Sequence, residues 1–222
     1  TFVANASNIA ALSAVWGSGG NTTQLARIDG GQGYDSLQLS QAGALDLTAI
    51  KNVDAGAGDS TSRISSIERI DLNSTTANTL TLSAADVIDM AGFNLIHTTT
   101  ASADGKTWTN VSGTALGATT AYHQLVVDGT AADTLNLQNN TGVWAGACIV
   151  SDGTNTYPVF QTAAAHAQVL VRSGLVVGQV VRSWYSVLVK SSAMRVSAGV
   201  LVRRVMAVVS SVGVGMRSRS PT

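Results

Sequence analysis

Cysteine is almost absent from this 222-residue chain: Cys148 stands alone. An intrachain disulfide is excluded, and a lone thiol reads as a small buried hydrophobe. Charge is scarce at 12 % of residues, about half the usual share, and aromatic residues are scarce at 5 %. No run of 18 apolar residues occurs, because Arg182, Lys190, Arg195 and Arg203-Arg204 interrupt the most hydrophobic stretch. A transmembrane helix is therefore not expected. Acidic residues are missing altogether after Asp152. The first residues lack the basic and apolar regions of a signal peptide, so the chain reads as a piece of a longer protein.

Catalytic patterns are also missing. There is no G-x-S-x-G, no H-E-x-x-H and no paired cysteine, and His97, His123 and His166 stand in no ligand spacing. Gly30-Gly31-Gln32-Gly33 precedes a strand rather than a helix, which argues against phosphate binding. The chain is read as not being an enzyme. Leu, Ile and Val are too frequent for a disordered chain, and Gly, Ser, Thr, Ala and Asn fill the remainder. That profile suits a secreted or surface β-protein of short strands and many turns.

The net charge of zero conceals a split. Residues 1–152 carry all 13 acidic groups and five basic ones; residues 153–222 carry eight basic groups and no acid. The segment from Leu175 alternates Val, Ser, Gly and Arg without turn chemistry or caps. It is read as a basic tail, disordered or of aberrant translation, and basic residues alone do not make it a nucleic-acid site.

The most specific feature is Gly30-Gly31-Gln32-Gly33-Tyr34-Asp35-Ser36-Leu37-Gln38, which fits G-G-x-G-x-D-x-U-x. Glycines allow φ > 0 and a close approach of carbonyls to an ion. An aspartate supplies a hard oxygen suited to calcium. The following large apolar residue points into a core, since strand side chains alternate. This is the unit of calcium-binding parallel β-rolls. Gly31, Gly33 and Asp35 are the first metal-ligand candidates. The competing reading is a tight turn whose aspartate caps backbone amides.

A degenerate repeat surrounds it. Ile28-Asp29 leads to Asp35-Ser36-Leu37-Gln38-Leu39, Ile70-Asp71 to Asn78-Thr79-Leu80-Thr81-Leu82, and Val127-Asp128 to Asp133-Thr134-Leu135-Asn136-Leu137. Asp29, Asp128 and Asp133 are further ligand candidates, with strand-ending turn residues as the alternative. Asp54 and Asp59 flank a glycine-rich acidic loop. Alternation predicts strands at 44–50, 64–72, 148–150, 157–160 and 167–171, with a hairpin turn at 151–155. Ser83 and Asp86 form a capping box that opens a helix from Ala84 to about Ala91, stopped by Gly92. A second helix is expected over Asn8–Trp16, capped by Ser7. Residues 98–120 read as a long surface loop with one buried residue, Trp108.

Together these stretches, with Ser65–Leu72, His123–Gly129 and Ala167–Val171, resemble modules of large bacterial surface proteins. Those proteins carry hemolysin-type (RTX) calcium-binding repeats and leave the cell by type I secretion. The resemblance implies a structural or adhesive role, a secreted or cell-surface location and neighbouring repeats of the same protein as partners. Host or matrix surface ligands are further partners it allows. Two departures are plain: a single full nonapeptide supplies half of a shared calcium site, and the arginine-rich end does not resemble a secretion signal. The expected fold is all-β, an irregular, mostly parallel right-handed β-solenoid or roll with short connecting helices; an antiparallel β-sandwich is the alternative. The division expected is a short helix and linker over 1–23, a β-rich repeat module over 24–174 and the tail over 175–222. A carbohydrate-binding module, with its ligand at an exposed Trp108 or Trp144, is the competing function.

Overall fold

The computed structural model describes residues 1–179 apart from 16, 19–20, 22–23, 51–61, 73–75, 118–119 and 140–142. Within these the chain is β-rich, with two short α-helices. In order come β1 (Phe2–Ala4), α1 (Ala6–Ser13), β2 (Ile28–Asp29), β3 (Ser36–Leu39), β4 (Gly43–Asp46), β5 (Ile64–Ser65), β6 (Arg69–Asp71), β7 (Asn78–Ser83), α2 (Ala84–Met90), β8 (Thr109–Gly113), β9 (His123–Asp128), β10 (Thr134–Gln138), β11 (Ala145–Ser151), β12 (Thr156–Thr162), β13 (Ala167–Val171) and β14 (Val176–Gln179).

Strands far apart in sequence line up in rows. The order β1-β3-β6-β9-β13 is parallel throughout, and β12, β11 and β8 extend that sheet antiparallel. A second sheet, β4-β7-β10-β14, is wholly parallel, and β2 pairs in parallel with β5. Like residues stack on like along each row. Phe2, Leu37, Ile70, Val127 and Val171 form one ladder; Leu45, Leu80, Leu135 and Val177 form another. Their side chains, apart from the partly buried Phe2 and Val177, are fully withdrawn from solvent and join one core. Alternation within each strand makes this arrangement: Leu37 and Leu39, Leu80 and Leu82, and Leu135 and Leu137 all point inward.

A second core lies on the other face of the large sheet. Val126 and Leu170 point away from the first core and pack with Ile96, Trp108, Leu116, Cys148, Val150, Tyr157 and Val159. Strands β9 and β13 are therefore buried on both faces, which explains their nearly continuous apolar sequences.

Several expectations meet their outcome here. Helix α2 begins at the capping box, with Asp86 accepting from the Ser83 amide (2.6 Å) and hydroxyl (2.8 Å). The hairpin forms as β11 and β12. Helix α1 starts earlier than the Ser7 cap predicts: Asn5 and Asn8 exchange side-chain-to-backbone bonds of 3.0 Å, which places the cap at Asn5. The run 44–50 does not remain extended, because Asp46 captures the Thr48 amide and hydroxyl and winds Leu47–Ala49 into a 3-10 turn. The run 64–72 breaks at Ser66, whose φ of 53° separates β5 from β6. The loop 98–120 contains β8, and Trp108 is buried as expected.

The proposed divisions cut through paired elements. β1 lies before residue 24 yet pairs with β3, and β14 lies after residue 174 yet pairs with β10. Residues 180–222, the bulk of the basic tail, and Asp54 and Asp59 lie outside the described residues. No helix among the described residues is long and apolar enough to cross a membrane.

Candidate cation site at the glycine-rich turn

The nonapeptide joins β2 to β3. Gly31 (φ 77°) and Gly33 (φ 115°) occupy the left-handed region, and open space surrounds the position of a Cβ at both. Gly30 has a different reason for being glycine: a Cβ there would land on the Ser66 carbonyl oxygen. Asp29 ends β2 and accepts from the Gly31 amide at 3.1 Å, with Arg27 at 3.8 Å. That amide bond is the main reason its carboxyl lies below the ordinary value. Asp29 thus does the work of a turn aspartate.

Asp35 is tied to the next row member through its backbone. Its carbonyl accepts from the Glu68 and Arg69 amides, each at 3.0 Å, and its amide donates to Glu68 Oε2 at 2.6 Å. Its carboxylate meets one cation among the described residues, the Thr1 ammonium at 3.7 Å. Glu68 is 5 % exposed. Burial raises its carboxyl above the ordinary value; the Asp35 amide works against that rise, and the Asp35 charge adds to it. The Glu68 carboxylate thus lies against the Asp35 backbone, beside a turn built from positive-φ glycines. Glu68 is not reachable from the repeat pattern, because 33 residues separate it from Asp35 and only the row pairing joins them.

The other two candidates are committed elsewhere. Asp128 pairs through Oδ2 with Arg69 and accepts from the Tyr157 hydroxyl through Oδ1 at 2.9 Å. Burial pushes the Tyr157 phenol upward, and Asp128 contributes further. Asp133 is fully buried and accepts from the Asn78 amide (2.8 Å), the Thr130 amide (2.7 Å) and the Thr130 hydroxyl (2.9 Å). These donors take two of the roughly four acceptor positions on Asp128 and three on Asp133, so both carboxylates are engaged in structural contacts. Asp35, whose carboxylate meets the Thr1 ammonium and no other cation among the described residues, is the candidate most open to a hard cation. Among the described residues no group of three or more His, Cys, Asp or Glu side chains is arranged to hold a metal.

Two of the three histidines, the cysteine and two tryptophans are engaged in structural contacts. The rings of His123 and His166 are held through Nδ1 by the Ala91 and Ala121 carbonyls, at 2.5 and 3.1 Å. Burial raises the Cys148 thiol to about 11, which keeps it protonated at neutral pH. Trp108 and Trp144 are 2 % and 0 % exposed, and their Nε1 groups donate to Asp104 Oδ2 and the Gln138 carbonyl, each at 3.0 Å. Neither ring presents a face on which a sugar could stack. Compared with models of known protein families, with characterised proteins and with solved structures, the chain finds no match.

Proposed function

We propose that the chain is a structural or adhesive module of a large secreted or cell-surface bacterial protein of the hemolysin-type (RTX) class, and that calcium promotes its folding. The observation that carries this reading is the stacking of like residues in parallel rows, linked at one corner by the Gly30–Asp35 turn. On this reading the fold is an irregular, mostly parallel β-solenoid. Its antiparallel strands, β8, β11 and β12, belong to insertions along one sheet edge. The parallel pairing of β4, β7, β10 and β14 supports this reading over an antiparallel sandwich.

The mechanism is mechanical. The segment 1–152 holds 13 acidic groups against five basic ones. Low cytosolic calcium leaves Asp35 and Glu68 in mutual repulsion, which loosens the joint between β3 and β6 and keeps the chain ready for export. Calcium at millimolar concentration outside the cell neutralises the pair and tightens the joint. The test is a thermal melt of the full chain by circular dichroism in EDTA and in millimolar calcium. A calcium-dependent rise in Tm that is lost in Asp35→Asn supports the reading. A melt indifferent to calcium would leave a module that folds without it.

A further inference from the structure

We propose that the end of the sheets formed by β1 and β2 is a docking groove for one extended, apolar strand supplied by a neighbouring unit of the same design. The inference rests on reading the chain as one module among repeats. A groove of about 210 Å³ lies between β1, α1 and residues 26–28. Phe2, Ala4, Leu12, Ala26 and Ile28 line it together with Arg27.

The occupant follows from the rows. Inside the chain, Ile28 pairs with Ile64, and Leu37 with Ile70. β1 continues the second of these rows by one strand, setting Phe2 beside Leu37. Among the described residues the row of β2 has no strand at the level of β1, and the groove lies there. The amides of Ile28 and Gly30 bond to the carbonyls of Arg63 and Ser65, on the β5 side. Alternation along a parallel strand turns the amides of Arg27 and Asp29 to the open side. A strand laid there continues an interface that the chain already uses. It sets a branched apolar side chain over Ile28 and fills the groove, and a carboxylate beside it meets Arg27.

The register fixes the test. Phe2, Leu37 and Ile70 share one level, and Ile64 precedes Ile70 by six residues. A copy of residues 62–68 joined ahead of Thr1 in the full chain therefore carries its first isoleucine onto Ile28. The expected result, in EDTA, is a Tm about 3 °C above that of the same extension with aspartate at that isoleucine, since roughly 1 kcal/mol moves a chain of this size by 2–4 °C. The Asp29 amide gains protection from hydrogen exchange at the same time. Equal melts and unchanged exchange overturn the proposal. So does a concentration-dependent dimer of the unextended chain that disappears on extension, which would make a second copy the occupant. Because both arms are run without calcium, a failure of the calcium response leaves this test intact.

Discussion

Gly30 has no room for a side chain. A Cβ there would overlap the Ser66 carbonyl and stand 2.8 Å from Asp35 Cβ. Gly30→Ala therefore pushes β2 away from the turn after β5 and lowers stability by about 2 kcal/mol, within the range for overpacking a tight contact. Gly31→Ala meets nothing within 4 Å and costs only the strain of a positive φ, about 1 kcal/mol. Urea midpoints of the two variants in EDTA check the order. Glu68 gives the pH-dependent prediction. Its folded pKa is raised. Its stabilising contribution is thus fully present below the unfolded value of about 4.3 and is lost as pH rises through the folded value. In EDTA, Glu68→Gln should melt above the parent chain at pH 7, with the gap closing as pH approaches 4; a lower Tm at pH 7 would contradict it. The glycines and Asp35 are legible in the sequence because their pattern is local. Glu68 is not, because its partner is fixed by which strands become neighbours.

Elements whose determinants lie within a few residues are the ones that follow from sequence. The capping box at Ser83 and Asp86 starts α2 where the pattern places it, and the hairpin β11–β12 forms around Asp152. The repeat is legible in part. Its second and third copies share one phase, with Ile70 on Val127, Leu80 on Leu135 and Leu82 on Leu137. The first copy does not, because Leu37 of its x-Leu-x-Leu stretch pairs with Ile70, while Leu45 takes the place beside Leu80. Short apolar alternations are interchangeable by composition, and only three-dimensional packing decides which row each joins. The same holds for Asp128, which ties three strands together through Arg69 on β6 and Tyr157 on β12. Removing its charge leaves a largely buried guanidinium unpaired. Asp128→Asn should cost about 3 kcal/mol, and by equal amounts in EDTA and in calcium. A loss seen only in calcium would restore Asp128 as a ligand.

Across the whole molecule, the charge boundary near Asp152 is not the boundary of the packed structure. Strands β12, β13 and β14 all follow it and all pair with earlier strands. Composition changes there while the apolar alternation continues, and it is alternation that builds the rows. The last of these strands offers a decisive truncation. Leu175 is 4 % exposed, and Val177 packs on the main core while pairing with Leu135. Ending the chain at Gly174 removes both and strips β10 of one of its two neighbours, leaving β7. Burial of one leucine contributes about 2 kcal/mol, and a chain of this size shifts by roughly 2–4 °C for each kcal/mol. A chain of residues 1–174 should melt about 4–8 °C below one of residues 1–179. Hydrogen exchange should become faster along β10, from Thr134 to Gln138, and remain unchanged at β6. Equal melts would mean that β14 adds nothing to the parallel sheet and that the packed structure closes at β13.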